Sequence, residues 1–206
     1  MLLYYITDRT QFPGSEAERC EQLLVKVGEA VAAGVDCIQL REKDLSGRQL
    51  ERLACEVVDT VRRNRSKTRV LINSRTDVAL ATGGDGVNLR SQDISPLEVR
   101  RIWRAAGSTR EPVVAVSCHS EEEVRSAKAA GADFAVFGPV FAKGDTAGMG
   151  ITALQGACAQ GIPVLALGGL TIENARSCLA RGAAGVAGIR MFQNGDLENS
   201  VRQLRL

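Results

Sequence analysis

Eight short runs of apolar, largely β-branched residues recur along the chain: Leu3–Thr7, Cys37–Arg41, Val70–Asn73, Gly86–Leu89, Val113–Ser117, Phe134–Gly138, Val164–Leu167 and Gly185–Ile189. Each is close to continuous in hydrophobicity rather than alternating, the signature of a strand covered on both faces. The stretches between them have helical spacing. Glu16–Ala33 places Cys20, Leu23, Leu24, Val27, Ala30 and Val31 on one stripe, and Leu50, Leu53, Ala54, Val57, Val58 and Val61 repeat the pattern. Strands that alternate with helices pair in parallel, because each helix returns the chain to the starting edge of the sheet. At 206 residues the expected fold is a closed (β/α)8 TIM barrel rather than an open doubly wound sheet, compact against the ~250 residues typical of such barrels. No linker or composition shift divides the chain, so residues 1–206 are read as one domain.

Local signals agree with that order. Ala33-Gly34-Val35-Asp36, Gly83-Gly84-Asp85-Gly86, Ala130-Gly131-Ala132-Asp133 and Arg181-Gly182-Ala183-Ala184 each end a helix and open a strand, with glycine at the left-handed cap. Ser46, Ser95, Ser120 and Thr171 stand where N-caps are expected, and Ser120 with Glu123 reads as a capping box.

Composition removes several function classes. Hydrophobic residues make up 45% and charged residues 24%, which excludes a disordered or fibrous chain. No apolar run reaches the roughly 18 residues of a membrane span. A net charge of +2 with interspersed signs, and only 4% aromatics, give no nucleic-acid footprint. The start, Met1 to Asp8, reaches a charge too early for a secretion leader, so a cytoplasmic location is expected. The six cysteines form no C-x-x-C pair, and they are read as reduced thiols rather than a metal cluster.

In a barrel of this kind, chemistry collects at the C-terminal ends of the strands. Gln39, Arg41 and Lys43 share one face of strand two by alternation. If that face looks into the barrel mouth, two cations sit in a concave site suited to a phosphate or carboxylate; otherwise they are a solvated strand exit. Asn73-Ser74-Arg75 follows strand three, and Asn88 to Asp93 follows strand four. Gly168-Gly169, ahead of Thr171, offers backbone N–H groups to an anion after strand seven, and Gly188-Ile189-Arg190 forms the facing wall. Strand five ends in Ser117-Cys118-His119. His119 is the only histidine, and imidazole is the side chain whose ordinary titration suits proton transfer near neutral pH, although a lone histidine is as often structural.

Several segments, taken together, resemble the thiamin phosphate synthase and TenI family. They are Tyr5-Ile6-Thr7-Asp8, Gln39-Leu40-Arg41-Glu42-Lys43, Leu71-Ile72-Asn73, Gly84-Asp85-Gly86-Val87, Val116-Ser117-Cys118-His119, Gly131-Ala132-Asp133, Phe137-Gly138-Pro139-Val140-Phe141 and Gly168-Gly169-Leu170-Thr171 with Glu173-Asn174-Ala175. The resemblance runs from strand one to strand eight. It implies the barrel fold and a phosphorylated small-molecule substrate of thiamin biosynthesis. It further implies that Gln39, Arg41, Lys43 and Asn73 face a pyrimidine and its pyrophosphate. Gly168, Gly169, Gly188 and Ile189 would then hold a thiazole phosphate through backbone amides, and Ser117 and Arg190 are read as further substrate-binding residues, Arg190 adding charge.

Two branches of that family differ in chemistry. The synthase branch joins hydroxymethylpyrimidine pyrophosphate to hydroxyethylthiazole phosphate with magnesium, whereas the TenI branch aromatises the thiazole by proton transfer without a metal. Synthases usually carry Asn-Asp-Arg after strand three, where this chain has Asn73-Ser74-Arg75. Their threonine-rich loop ending in Thr-Lys is replaced by Lys143-Gly144-Asp145-Thr146. Only Asp93 is left as a magnesium ligand if the chain is a synthase. These departures favour a TenI-like thiazole tautomerase that uses no cofactor, with His119 moving the proton and Arg41 orienting a ring carboxylate. Thiamin phosphate synthase is the alternative. A non-catalytic phosphate-binding barrel and an aldolase-type barrel with Lys43 or Lys143 as Schiff base complete the set. No nucleic-acid or membrane partner is expected, and assembly into a homo-oligomer stays open.

Overall fold

A computed structural model describes every residue except Lys143, Asp145, Thr146 and Leu206. The strands are β1 (Leu2–Ile6), β2 (Cys37–Leu40), β3 (Arg69–Asn73), β4 (Gly86–Arg90), β5 (Val113–Cys118), β6 (Phe134–Phe137), β7 (Val164–Leu167) and β8 (Gly185–Gly188). They pair in parallel in chain order, and β8 pairs back onto β1 to close the barrel. The helices are α1 (Glu16–Ala32), α2 (Gly47–Arg63), α3 (Thr76–Thr82), α4 (Pro96–Ala105), α5 (Glu121–Ala129), α6 (Gly150–Cys158), α7 (Ile172–Leu179), α8 (Arg190–Gln193) and α9 (Leu197–Arg205). The chain is a (β/α)8 barrel with one helix more than the alternation predicts, because the segment after β8 breaks at Asn194 and Gly195 and resumes as α9. Strands one, two, six and eight each end one residue short of their apolar runs, since those last residues leave the ladder to shape the mouth.

The two faces of each strand explain the continuous hydrophobicity. Tyr4, Ile6, Cys37, Leu71, Ala115, Phe134, Val136, Leu165 and Ala187 fill the barrel interior. Tyr4 and Phe134 meet edge to face there, with ring centroids 5.6 Å apart, while Ala115 and Ala187 keep the rest of the layer thin. The alternate residues Leu3, Ile38, Leu40, Val70, Ile72, Val87 and Leu89 pack outward against helix stripes such as Leu23, Val27 and Ala30 of α1. At the closing seam β8 lies tight against β1. A Cβ on Gly185 would stand 2.0 Å from the Leu2 carbonyl oxygen.

All four expected N-caps are present: the hydroxyls of Ser46, Ser95, Ser120 and Thr171 accept from the backbone N–H three residues on. The box expected at Ser120 is not closed. Glu123 reaches one residue further back and accepts from the His119 N–H at 2.6 Å. No helix among the described residues is long and apolar enough to cross a membrane.

A buried ion cluster fixes the loops after β1 and β2. The Arg9 side chain is 2% exposed; its Nη1 reaches Glu42 at 3.1 Å, and its two Nη groups hold Asp44 at 2.7 and 2.8 Å. Its Nε donates to Glu16 at 2.6 Å. Glu42 also accepts from the Thr7 hydroxyl and from the Arg9 backbone N–H. The hydrogen bonds that the Arg9 guanidinium donates to Asp44 drive it further toward its charged form, against the effect of burial.

Candidate active site

Strand alternation sends every second residue of β1 to β8 into the barrel, and near the C-terminal ends these become polar. Gln39 lies beside Leu71, and Asn73 beside Asn88, in the ladder. The Gln39 amide donates to Asn73 Oδ1 at 2.8 Å. The Asn88 amide donates to Ser117 Oγ at 2.9 Å, and its Oδ1 accepts from the Tyr4 hydroxyl at 3.2 Å. Gln39 and Asn88 are 3% and 1% exposed, so this layer is a closed, hydrogen-bonded floor. Burial raises the Tyr4 hydroxyl well above its usual range, which keeps it a neutral donor to Asn88.

Further out, the strand ends carry charge. Arg90, the last residue of β4, alternates with Asn88, whereas β2 ends at Leu40, so the alternation expected to align Arg41 and Lys43 with Gln39 stops before them. Arg41 leaves the strand and Lys43 stands in the turn that follows, exposed. Arg41 first, then burial, then Arg90, push the Lys43 ammonium below its ordinary value. Among the described residues the Arg41 guanidinium makes no ion pair, and its backbone N–H donates to Thr7 Oγ1 at 3.0 Å. Of the three residues read as one face, the hydrogen bond to Asn73 places Gln39 on the inward side.

Asp93 lies at the rim in a closed hydrogen-bond clamp. Its Oδ2 accepts from Ser74 Oγ at 2.6 Å and from the Arg90 N–H at 2.8 Å. Its Oδ1 accepts from Arg90 Nε at 3.1 Å and Nη2 at 2.8 Å. Burial would raise the Asp93 carboxyl, but the bonds from Arg90 and Ser74 outweigh it and hold the group below the usual carboxylate range. Magnesium wants several oxygen ligands at ~2.0–2.1 Å with lone pairs aimed at one point. Both Asp93 oxygens are already engaged, the neighbour at position 74 is a neutral serine, and no group of three or more His, Cys, Asp or Glu clusters among the described residues. As arranged, the residues do not fit a magnesium ion.

His119 follows β5. Its Nδ1 is 2.6 Å from the Gly138 carbonyl oxygen, which can only accept, so the ring proton sits on Nδ1 and the Nε2 lone pair is left to act on a ligand. The Glu123 carboxylate on its backbone N–H fixes the residue from the other side. Cys118 is buried behind it. Burial pushes its thiol up to about 12, so it is a packed neutral group and no nucleophile near neutral pH.

On the opposite wall, β7 runs beside β8 with Leu167 against Ala187, which carries Gly168 alongside Gly188. Gly168 and Gly169 have φ of 95° and 60°. A Cβ on Gly168 would stand 2.6 Å from Pro139 Cα, and one on Gly169 2.7 Å from Phe141 Cβ. The turn after β7 thus presses its backbone on the segment after β6. Gly188 is different: it has no positive φ, and a Cβ there would meet side chains of α8, Met191 at 3.3 Å and the Phe192 ring at 3.7 Å. Ile189 caps α8, and Arg190 opens it and is exposed. The loop read from Lys143 to Thr146 lies, apart from Gly144, outside the described residues.

The structure therefore brings Gln39, Arg41, Lys43, Asn73, Ser117, His119 and Asp93 to one end of the barrel, with the glycine turn on the facing strands. Sequence reasoning placed Asn88 at this end, in the segment running to Asp93, but did not single out Tyr4, Glu123 or the Gly138 carbonyl as parts of it.

The profile of the thiamine monophosphate synthase family (TMP-TENI) matches residues 3–192. A Geobacter sulfurreducens protein, named "Putative thiamine-phosphate synthase", is 43% identical over 192 residues, covering 90% of this chain and 83% of that protein. The thiamine-phosphate synthase of Chlorobium luteolum is 38% identical over 166 residues, 78% of this chain and 75% of its own. The thiamine phosphate pyrophosphorylase of Pyrococcus furiosus superposes with a TM-score of 0.81 at 29% identity, over 99% of this chain and 93% of that one. A match that begins in β1 and ends in α8, with relatives this alike across most of their length, has one meaning: the chain belongs to the thiamine monophosphate synthase family.

Proposed function

We propose that the protein is a thiamin phosphate synthase, joining hydroxymethylpyrimidine pyrophosphate to hydroxyethylthiazole phosphate and releasing pyrophosphate. The observation that carries this reading is the set of three cations, Arg41, Lys43 and Arg90, at the end of the barrel that holds the Gln39–Asn73 pair, with Arg41 and Arg90 lowering the Lys43 ammonium. Like charges gathered at one end are relieved by a multiply charged anion, and a departing pyrophosphate is one. The names of the relatives support coupling over the tautomerase favoured by the sequence departures. In this reading Gln39, Asn73 and Ser117 orient the pyrimidine. Gly168, Gly169, Gly188, Ile189 and Arg190 hold the thiazole phosphate. Arg41 and Lys43 neutralise charge as the carbon–oxygen bond to pyrophosphate breaks and the carbon–nitrogen bond to the thiazole forms.

A second reading, thiazole tautomerase, is favoured by one specific observation: the free Nε2 of a histidine whose tautomer is fixed by the Gly138 carbonyl. One experiment separates the two. The protein is incubated with both coupling substrates, with and without magnesium, and in parallel with the non-aromatic thiazole carboxylate phosphate. Thiamin phosphate in the first incubation is the expected result. Aromatisation with no coupling in either metal condition would transfer the assignment to the tautomerase. Neither product would leave a phosphate-binding barrel without catalysis.

A further inference from the structure

Asp93 offers no open lone pair to a cation, yet the end of the barrel on which it stands is built to meet negative charge. Its partner, Arg90, is 70% exposed, so the guanidinium is held at its base and open at its tip. A guanidinium carries five N–H donors. Nε and one Nη are spent on Asp93 Oδ1, and the rest are left for a ligand. Ser74, at a φ of 56°, donates to the second Asp93 oxygen and so fixes the carboxylate that fixes Arg90. Charge counting points the same way. A divalent cation between two carboxylates is locally neutral; one guanidinium on one carboxylate beside a neutral serine is locally neutral too. The guanidinium, however, presents directed donors with no dehydration cost of a small ion.

We propose that the Ser74–Asp93–Arg90 clamp takes the place of a bound divalent cation and, with Arg41 and Lys43, forms a metal-independent site for the diphosphate group of a substrate. Alternation along β4 sets Arg90 on the face of Asn88, and Arg41 and Lys43 follow the C-terminal end of β2 at the same end of the barrel. The lowered Lys43 ammonium, set by Arg41 and Arg90, agrees with that placement. The proposal rests on reading the mouth as a diphosphate site, and its test is separate from the test of turnover.

Inorganic pyrophosphate is titrated into the full chain by calorimetry, once in EDTA and once in magnesium. Binding in EDTA within about threefold of the magnesium value is expected. Arg90→Ala, at an exposed position, should weaken binding in EDTA by about tenfold or more, the loss of a charged donor pair. Ser74→Asp should turn the preference round, weakening metal-free binding and making magnesium necessary. Pyrophosphate that binds the parent only with magnesium would overturn the proposal, and so would an Arg90→Ala variant that binds in EDTA like the parent. Metal-free pyrophosphate binding without thiamin phosphate formation would sink the coupling reading and leave the clamp standing. Magnesium-dependent coupling that ignores Arg90→Ala would do the reverse.

Discussion

A backbone carbonyl decides which nitrogen of His119 carries the proton, because the oxygen of Gly138 has no hydrogen to give. His119→Asn keeps a donor toward that carbonyl but cannot accept and return a proton. It should therefore lower any thiazole aromatisation by roughly 10²–10⁴-fold while leaving thiazole phosphate affinity nearly unchanged. Turnover and dissociation constant measured side by side check this; lost affinity would mean that the ring shapes the pocket instead. Cys118 behaves oppositely to what its position suggests. With its thiol pushed up to about 12 it should resist iodoacetamide at pH 8, whereas exposed Cys55 should be alkylated, as peptide mapping by mass would show. The sequence made His119, Gln39, Arg41 and Asn73 legible because side-chain type and strand alternation are both written in it. The Gly138 carbonyl was not legible, since every residue has one. Glu123 was misassigned because a carboxylate three residues past a serine serves Ser120 or His119 equally well until the backbone is fixed.

Between elements, the Arg9 cluster joins the loop after β1 to the loop after β2 and so holds the strand exits that carry Asp8 and Arg41. Arg9→Ala would strand the Glu42 carboxylate, 1% exposed, with only the Thr7 hydroxyl and a backbone N–H for company. A loss of about 3 kcal/mol in urea unfolding at pH 7 is expected, at the low end for a broken buried pair because those two donors remain. The hydrogen bonds from Arg9, outweighing burial, hold the Asp44 carboxyl below its usual range. A carboxyl lowered in the folded chain contributes stability above its unfolded value and loses it as pH falls through its folded value. The gap between parent and variant should therefore narrow below about pH 4, and a gap that widened there would exclude this origin. Across the barrel, Gly169→Ala should weaken thiazole phosphate binding by about tenfold or more, since its Cβ, at a φ of 60°, would enter the Phe141 side chain. The glycine pair stood out in the sequence, but its support, the segment after β6, did not: their contact joins residues far apart along the chain.

For the molecule as a whole, the alternation of apolar runs and amphipathic stretches implied a parallel sheet covered on both faces, and eight such strands in 206 residues favoured the closed barrel over an open doubly wound sheet. Register between neighbouring strands was not legible, since inward polar residues such as Gln39 and Asn88 mark a face of a strand but not its offset against the next one. It is fixed instead by shape, and Gly185 shows how. Gly185→Ala should prevent β8 from reaching β1, costing near-ultraviolet circular dichroism and cooperative melting rather than helix content. The seam at Gly185 also sets an order of events in time. β1 is the first strand to leave a ribosome, and one of its two edges has no partner until the last strand has been made. Throughout synthesis that edge is an open template, and a second nascent copy offers the same strand sooner than the chain's own far end does. A barrel closed by its two extremes thus trades a seamless finished wall for a long exposure during its making.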